Sequence, residues 1–274
     1  GLFMSLMKLT SLLSILFTNP GEFHDRLVIK FEGWLDGLWL GRPVYDENSF
    51  DDAAGALERN LGIPVAKILR ERSLSDIESW VREGTLRIQG NPAFRLAHNA
   101  DLDLARFCYV LCRAIRPRVV IETGVAYGVT SAFILKALEA NRHGELHSID
   151  LPPLAREGDR FVGALIPEEL RHRWRLHRGT SKRILPRLLR QLGSIDLFVH
   201  DSLHTYRNMR FELETVTPFL TERSVVIADD IEGNTAFREW VDQAQPTFWV
   251  ATREAEKNSV FGVSVHFHAH PPRS

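Results

Sequence analysis

The chain has 274 residues, of which 44% are hydrophobic and 25% charged, enough apolar material to bury a large core and too much for a disordered chain. A formal net charge of -1 excludes the basic excess that phosphate-backbone binding requires, so no nucleic-acid partner is expected, and the basic run over residues 171–190 reads as a solvated face. The two cysteines, Cys108 and Cys112, lie four apart on one predicted helix, which excludes a disulfide framework and fits a reducing cytoplasm.

Residues 2–17 form an apolar stretch whose one charge is Lys8. It is short for a membrane span and lacks a small-residue cleavage site, so the expectation is a helix docked on protein, without stable membrane insertion. Leu2, Phe3, Leu6, Leu9, Leu13 and Leu16 make an apolar stripe, which predicts a homo-oligomer. Between residues 19 and 99 helical patterns are broken at Pro20-Gly21, Gly41-Arg42-Pro43, Gly62-Ile63-Pro64, Gly84 and Gly90-Asn91-Pro92. Ser73 reads as the N-cap of a helix with Asp76 in its first turn, and Trp34, Leu38 and Trp39 read as core or subunit contacts. Residues 1–100 are therefore predicted to be a helical extension that covers substrate or makes oligomer contacts.

From residue 102 the pattern changes to alternating helix and strand. Strands are predicted at 119–122, 145–150, 174–178, 195–199, 224–228, 247–251 and 261–267. Helices are predicted at 102–115, 130–140, 184–192, 206–215 and 235–242. This is the signature of an α/β fold, a Rossmann-like doubly wound sheet of seven mostly parallel strands with an antiparallel last strand. Residues 101–274 form this domain, and ligands are expected beyond the carboxyl ends of its strands.

The residues at those ends are informative. After the first strand, Glu122 is followed by Gly124 and Gly128 in a turn that enters a helix at Thr130; glycine admits close backbone approach and a helix N-terminus attracts anionic groups. The spacing is G-x-x-x-G and departs from the G-x-G-x-x-G of dinucleotide sites, so NAD is not expected. Asp150 ends the second strand, where a carboxylate accepts both hydroxyls of a ribose. Asp201 follows the fourth strand, and Asp229 and Asp230 follow the fifth. Three neighbouring carboxylates repel one another unless a cation lies between them, and hard oxygen ligands suit Mg²⁺, Mn²⁺ or Ca²⁺. His204, three residues after Asp201, is placed to take a proton from a hydroxyl, whereas His200 reads as a packing residue.

Taken together these stretches resemble class I S-adenosylmethionine-dependent methyltransferases. The E-x-G-x-x-x-G-x-[ST] turn from Glu122 to Thr130 resembles their first motif, which passes the methionine end of the cofactor. Gly179-Thr180-Ser181-Lys182 resembles the stretch in which a serine and its neighbour meet the adenine edge, which implies contacts from Ser181 and Lys182. The acids resemble those of metal-dependent catechol-type O-methyltransferases, with Asp201, Asp229 and Asp230 as the implied ligands and Asp201 also bordering the cofactor. The Asp201-x-x-His204-x-Tyr206 motif resembles still more the bacterial sugar O-methyltransferases of macrolide biosynthesis. Where catechol-type enzymes carry a lysine base, this chain has His204. The implied activity is methyl transfer to a hydroxyl of a small polar acceptor, such as a sugar or glycan. The alternatives are a metal-independent methyltransferase with His204 as base, and a non-catalytic cofactor-binding or scaffolding subunit.

Overall fold

The computed structural model of the chain describes residues 12–39, 41–88, 102–152 and 158–267. Its strands are β1 (Glu47–Asn48), β2 (Val119–Thr123), β3 (Glu145–Asp150), β4 (Trp174–Arg178), β5 (Ile195–His200), β6 (Leu220–Ala228), β7 (Phe248–Arg253) and β8 (Val260–Phe267). They form one eight-stranded sheet in the order β1-β7-β8-β6-β5-β2-β3-β4. β8 runs antiparallel between β6 and β7, and the other pairings are parallel. The expected seven strands thus gain an eighth. Glu47 and Asn48, in a stretch read as helical, pair with Ala251 and Thr252 at the sheet edge. Two residues are too few to show alternation, and the piece is held by a fork of Arg253 on Glu47 at 2.6 and 2.7 Å.

Successive residues of each central strand point to opposite faces, and both faces are covered. Val120, Leu197, Val199, Val225 and Ile227 pack under helices α5 (Leu102–Ile115) and α6 (Val129–Asn141). Ile121, Phe198 and Val226 pack under α8 (Ser181–Leu192), α9 (Tyr206–Val216) and α10 (Ala236–Ala244). This two-sided burial is why β2 is apolar along its first three residues and fully buried. A four-residue helix, α7 (Gly158–Phe161), lies between β3 and β4.

The N-terminal region shares this core. Ala53 and Leu57 of α2 (Phe50–Leu61), Val65 and Ile68 of α3 (Val65–Ile68), and Leu74, Ile77 and Val81 of α4 (Arg72–Ile88) belong to the same buried cluster as α5 and α6. Ser49 caps α2 by accepting from the Asp52 amide at 3.2 Å. Ser73 does not cap α4, contrary to expectation: the helix begins one residue earlier, and the Ser73 hydroxyl lies 2.5 Å from that of Tyr109. Tertiary contact with a buried tyrosine outcompetes the cap. Cys108 and Cys112 are buried and free, as their spacing on α5 indicated.

Helix α1 (Pro20–Trp39) lies along the strand-end rim. Its acids hold it there: Glu22 pairs with Arg178 at 2.6 Å, Asp25 with Arg183 at 2.9 Å, and Asp36 accepts from the Tyr206 amide. Arg26 pairs with Glu22 and donates to the carbonyl of Pro152 at 2.9 Å. Much of the basic run at 171–190 is therefore paired, since Arg173 also meets Glu139. Of the predicted N-terminal stripe, residues 12–18 are helical with Leu13 and Leu16 exposed, and the remainder lies outside the described residues. No helix among the described residues is long and apolar enough to cross a membrane.

Candidate active site

β2 and β5 lie side by side, yet the chain leaves β2 to build β3 and β4 before it returns at β5. At such a switch point the connections diverge and leave a crevice beyond the carboxyl ends of the strands. Gly124 sits in it with φ +83°, and a Cβ there would stand 1.8 Å from the Asp201 carbonyl oxygen. Only glycine lets the turn after β2 pass so close to the loop after β5. Gly128, at φ +87°, is the residue from which α6 starts.

The polar groups around this turn are held in place and retain free valences. The Glu122 carboxyl accepts from the Ser131 hydroxyl and from Ser148 at 2.5 Å, and Trp174 in turn donates to Ser148 at 2.8 Å. Burial pushes Glu122 up to about 7. Asp150 is likewise raised by burial, to about 6, although the Ala126 and Leu151 amides donate to it. Glu122 Oε2, Thr130 Oγ1 and Asp150 Oδ2 are buried and have no hydrogen-bond partner. Buried polar atoms are rarely left so, and three around one glycine turn at a helix N-terminus suit a ligand with hydroxyl and amino groups. S-adenosylmethionine, with a ribose diol and an α-amino group, fits this set.

The acids cluster on the other side of the crevice. Asp201, His204 and Asp229 offer ligand atoms that all lie within 4.8 Å of one another. His204 Nε2 is 3.7 Å from Asp201 and 3.5 Å from Asp230. Burial raises the pKa of Asp201 well above the carboxylate range, and Asp229, hydrogen-bonded to it, adds to the rise. Asp229 is raised by the same burial against the pull of His204. Burial lowers the pKa of His204 against the pull of the neighbouring carboxylates. Asp229 Oδ1 and His204 Nδ1 are buried and unpartnered. A set of two carboxylates and an imidazole, with a third carboxylate beside it, fits a divalent cation. Asp230 holds the left-handed backbone at φ +50° and does not cap the turn that follows, since its side chain makes no cap bond.

The structure thus brings Glu122, Gly124, Gly128, Thr130, Asp150, Asp201, His204, Asp229 and Asp230 to one crevice, with His204 nearer the acid group than Asp230 is. Ser181 opens α8 and is buried, donating to Asn208 at 3.3 Å. Lys182 turns to α1, where it pairs with Glu32. Sequence reasoning missed Ser131 and Ser148, and it also missed Glu212, which takes a hydrogen bond from His200. Serines this common in a sequence give no signal until the sheet register sets Ser148 beside Glu122.

Comparison with known proteins agrees with this fold. Residues 121–231 match a family model described as a methyltransferase domain. The O-methyltransferase TomG of Streptomyces achromogenes, involved in tomaymycin synthesis and solved with SAM, superposes with a TM-score of 0.53 at 16% identity, covering 79% of this chain and 96% of that one. The O-methyltransferase of Bacillus cereus, solved with SAH, gives 0.51 at 15% identity over 78% and 96% of the two chains. The fold is therefore that of the class I S-adenosylmethionine-dependent methyltransferases, and residues 121–231 are similar to a methyltransferase domain. Among curated proteins, the uncharacterized protein y4gI of Sinorhizobium fredii is 31% identical over 151 residues, covering 52% of this chain. The match spans 16% of that relative's length.

Proposed function

We propose that the chain is an S-adenosylmethionine-dependent O-methyltransferase that acts, with a divalent cation, on a hydroxyl of a small polar acceptor such as a sugar. The observation that carries this reading is the contact between the two halves of the crevice: the glycine turn after β2 and the loop bearing Asp201 and His204 approach so closely that no Cβ fits between them. A methyl donor on the turn and an acceptor on the acids are thereby neighbours, and such positioning supplies much of the rate in a displacement at carbon.

Asp150 would hold the ribose, Glu122 and the α6 N-terminus the methionine end, and Asp201 and Asp229, joined by Asp230, the cation. Mg²⁺, Mn²⁺ or Ca²⁺ there would supply charge that lowers the acceptor hydroxyl's pKa. His204 would take the hydroxyl proton at Nε2, and the acceptor oxygen would then bond to the methyl carbon as the sulfur–methyl bond breaks, leaving S-adenosylhomocysteine. Turnover of labelled S-adenosylmethionine on a panel of sugars and diols tests the reading. Methyl incorporation that chelator abolishes and Mg²⁺ or Mn²⁺ restores is expected; full turnover in excess chelator removes the cation.

A second reading has one observation in its favour. His204 Nε2 itself sits between Asp201 and Asp230, so an imidazolium could offset their charge and the acids could bind acceptor hydroxyls without a metal. The chelator experiment separates the two. The exposed apolar residues Leu27, Phe31 and Trp34, at helical spacing on the face of α1 away from its ion pairs, support a homo-oligomer formed through this helix.

A further inference from the structure

We propose that Glu212 is the positioning residue of this site, the group that sets the loop bearing Asp201 and His204 against the glycine turn. It lies on α9, fully buried, and its hydrogen bonds run to the neighbours of the acid and of the turn. Its Oε2 accepts from the Thr123 hydroxyl at 2.6 Å and from His200 Nδ1 at 2.6 Å; its Oε1 accepts from Ser202 at 2.8 Å and from Asn208 Nδ2 at 3.0 Å. Thr123 immediately precedes Gly124. His200 and Ser202 flank Asp201 on either side. One carboxylate therefore fastens the residue before the cofactor turn and both neighbours of the acid opposite it.

The network extends further. Asn208 also donates to the carbonyl of Leu203 at 3.0 Å, the residue before His204, and accepts from Ser181. Burying a carboxylate is a poor way to gain stability, because an apolar residue of similar size usually does as well or better. A buried charge whose donors are all supplied does fix geometry, since each donor loses its partner if the arrangement slips. Although burial alone would raise Glu212, His200 and the hydroxyl donors leave it below the usual carboxylate range. It is thus an acceptor for every one of these donors, and His200 carries its proton on Nδ1. His200 is in this view a strut between Glu212 and the site, its ring edge-on to that of His204 at 5.6 Å.

The proposal rests on reading Asp201 and Asp229 as the cation site, and its test uses two probes that separate the claims. Calorimetry with S-adenosylhomocysteine and titration with Mn²⁺ alone are carried out on the full chain and on Glu212→Gln, Thr123→Val and Ser202→Ala. Glu212→Gln should weaken Mn²⁺ about 10–100-fold, the range for losing a group that orients ligands, and S-adenosylhomocysteine severalfold. Thr123→Val, beside the turn, should weaken mainly the nucleoside, and Ser202→Ala, beside Asp201, mainly Mn²⁺. Equal losses of both probes in the two single-donor variants, or wild-type affinities in Glu212→Gln, overturn the proposal. Should Glu212→Gln fail to fold, the single-donor variants decide. A wild-type chain that binds the nucleoside but no Mn²⁺ overturns the cation reading instead. Glu212 is then judged by nitrogen-15 histidine spectra of the wild type, where a His200 without its Nδ1 proton excludes the strut.

Discussion

Asp150, proposed to hold the ribose, is a carboxylate whose burial should make ligand binding depend on pH. Its ordinary value near 3.8 rises to about 6, because the unfilled Oδ2 lies away from water. A carboxylate that must accept from ribose hydroxyls binds best when ionised, so affinity for S-adenosylhomocysteine should rise as pH increases through about 6 and level off above it. Calorimetry between pH 5 and 8 checks this, and Asp150→Asn should remove the step while weakening binding by about 1–3 kcal/mol. The sign for stability is opposite: the folded chain keeps that proton above the pH where the unfolded chain releases it, so the stability it contributes at low pH is lost as pH rises through about 6. His204 makes a different prediction. As the base it should contribute about 10²–10⁴ in rate, so His204→Ala at saturating cation should lose that much turnover with cofactor affinity unchanged. A partial rescue by excess Mn²⁺ would show instead that His204 serves as a ligand. Gly124→Ala should cost at least about 1–2 kcal/mol from the left-handed backbone alone, read by urea unfolding, and should abolish nucleoside binding because the Asp201 loop must move.

Among the elements, α1 is the one whose place is set by charge. Its side chains toward the domain are acids paired with Arg178, Lys182 and Arg183, while Leu27, Phe31 and Trp34 face solvent. Glu22 is nearly buried and serves two arginines; burial opposes its ionisation, but Arg178 and Arg26 hold its pKa below the ordinary value. That contribution is present above about pH 4.5 and is lost as pH falls through the lower folded value. Glu22→Gln should therefore destabilise the chain by about 1–3 kcal/mol at pH 7, with the difference from wild type shrinking in acid. Urea unfolding at both pH values measures it. None of this docking is legible in the sequence: the basic run over residues 171–190 reads as a solvated face, because its acidic partners lie some 150 residues earlier.

For the whole molecule, an apolar strip on α1 continuous with exposed Leu13, Leu16 and Phe17 predicts association through the N-terminal helices. Light scattering should report more than one copy for the full chain and a lower state for Trp34→Asp; a monomer at all concentrations would refute it. The sheet and its switch point were legible in the chain because parallel strands buried on both faces read as short apolar runs, and each ends in a polar residue or glycine at a fixed place. Val119–Thr123 and Ile195–His200 are such runs, and Gly124, Asp201 and His204 follow from them by local position, while Asp150 ends Glu145–Asp150 and Asp229 follows Leu220–Ala228. What the chain alone could not determine is which of its many polar residues meet: Ser148 with Glu122, Glu212 with Thr123 and His200, Lys182 with Glu32, Glu47 with Arg253. Those pairings carry no periodicity. A side chain's partner across the sheet is chosen by strand register and helix placement, which exist only once the apolar faces have packed.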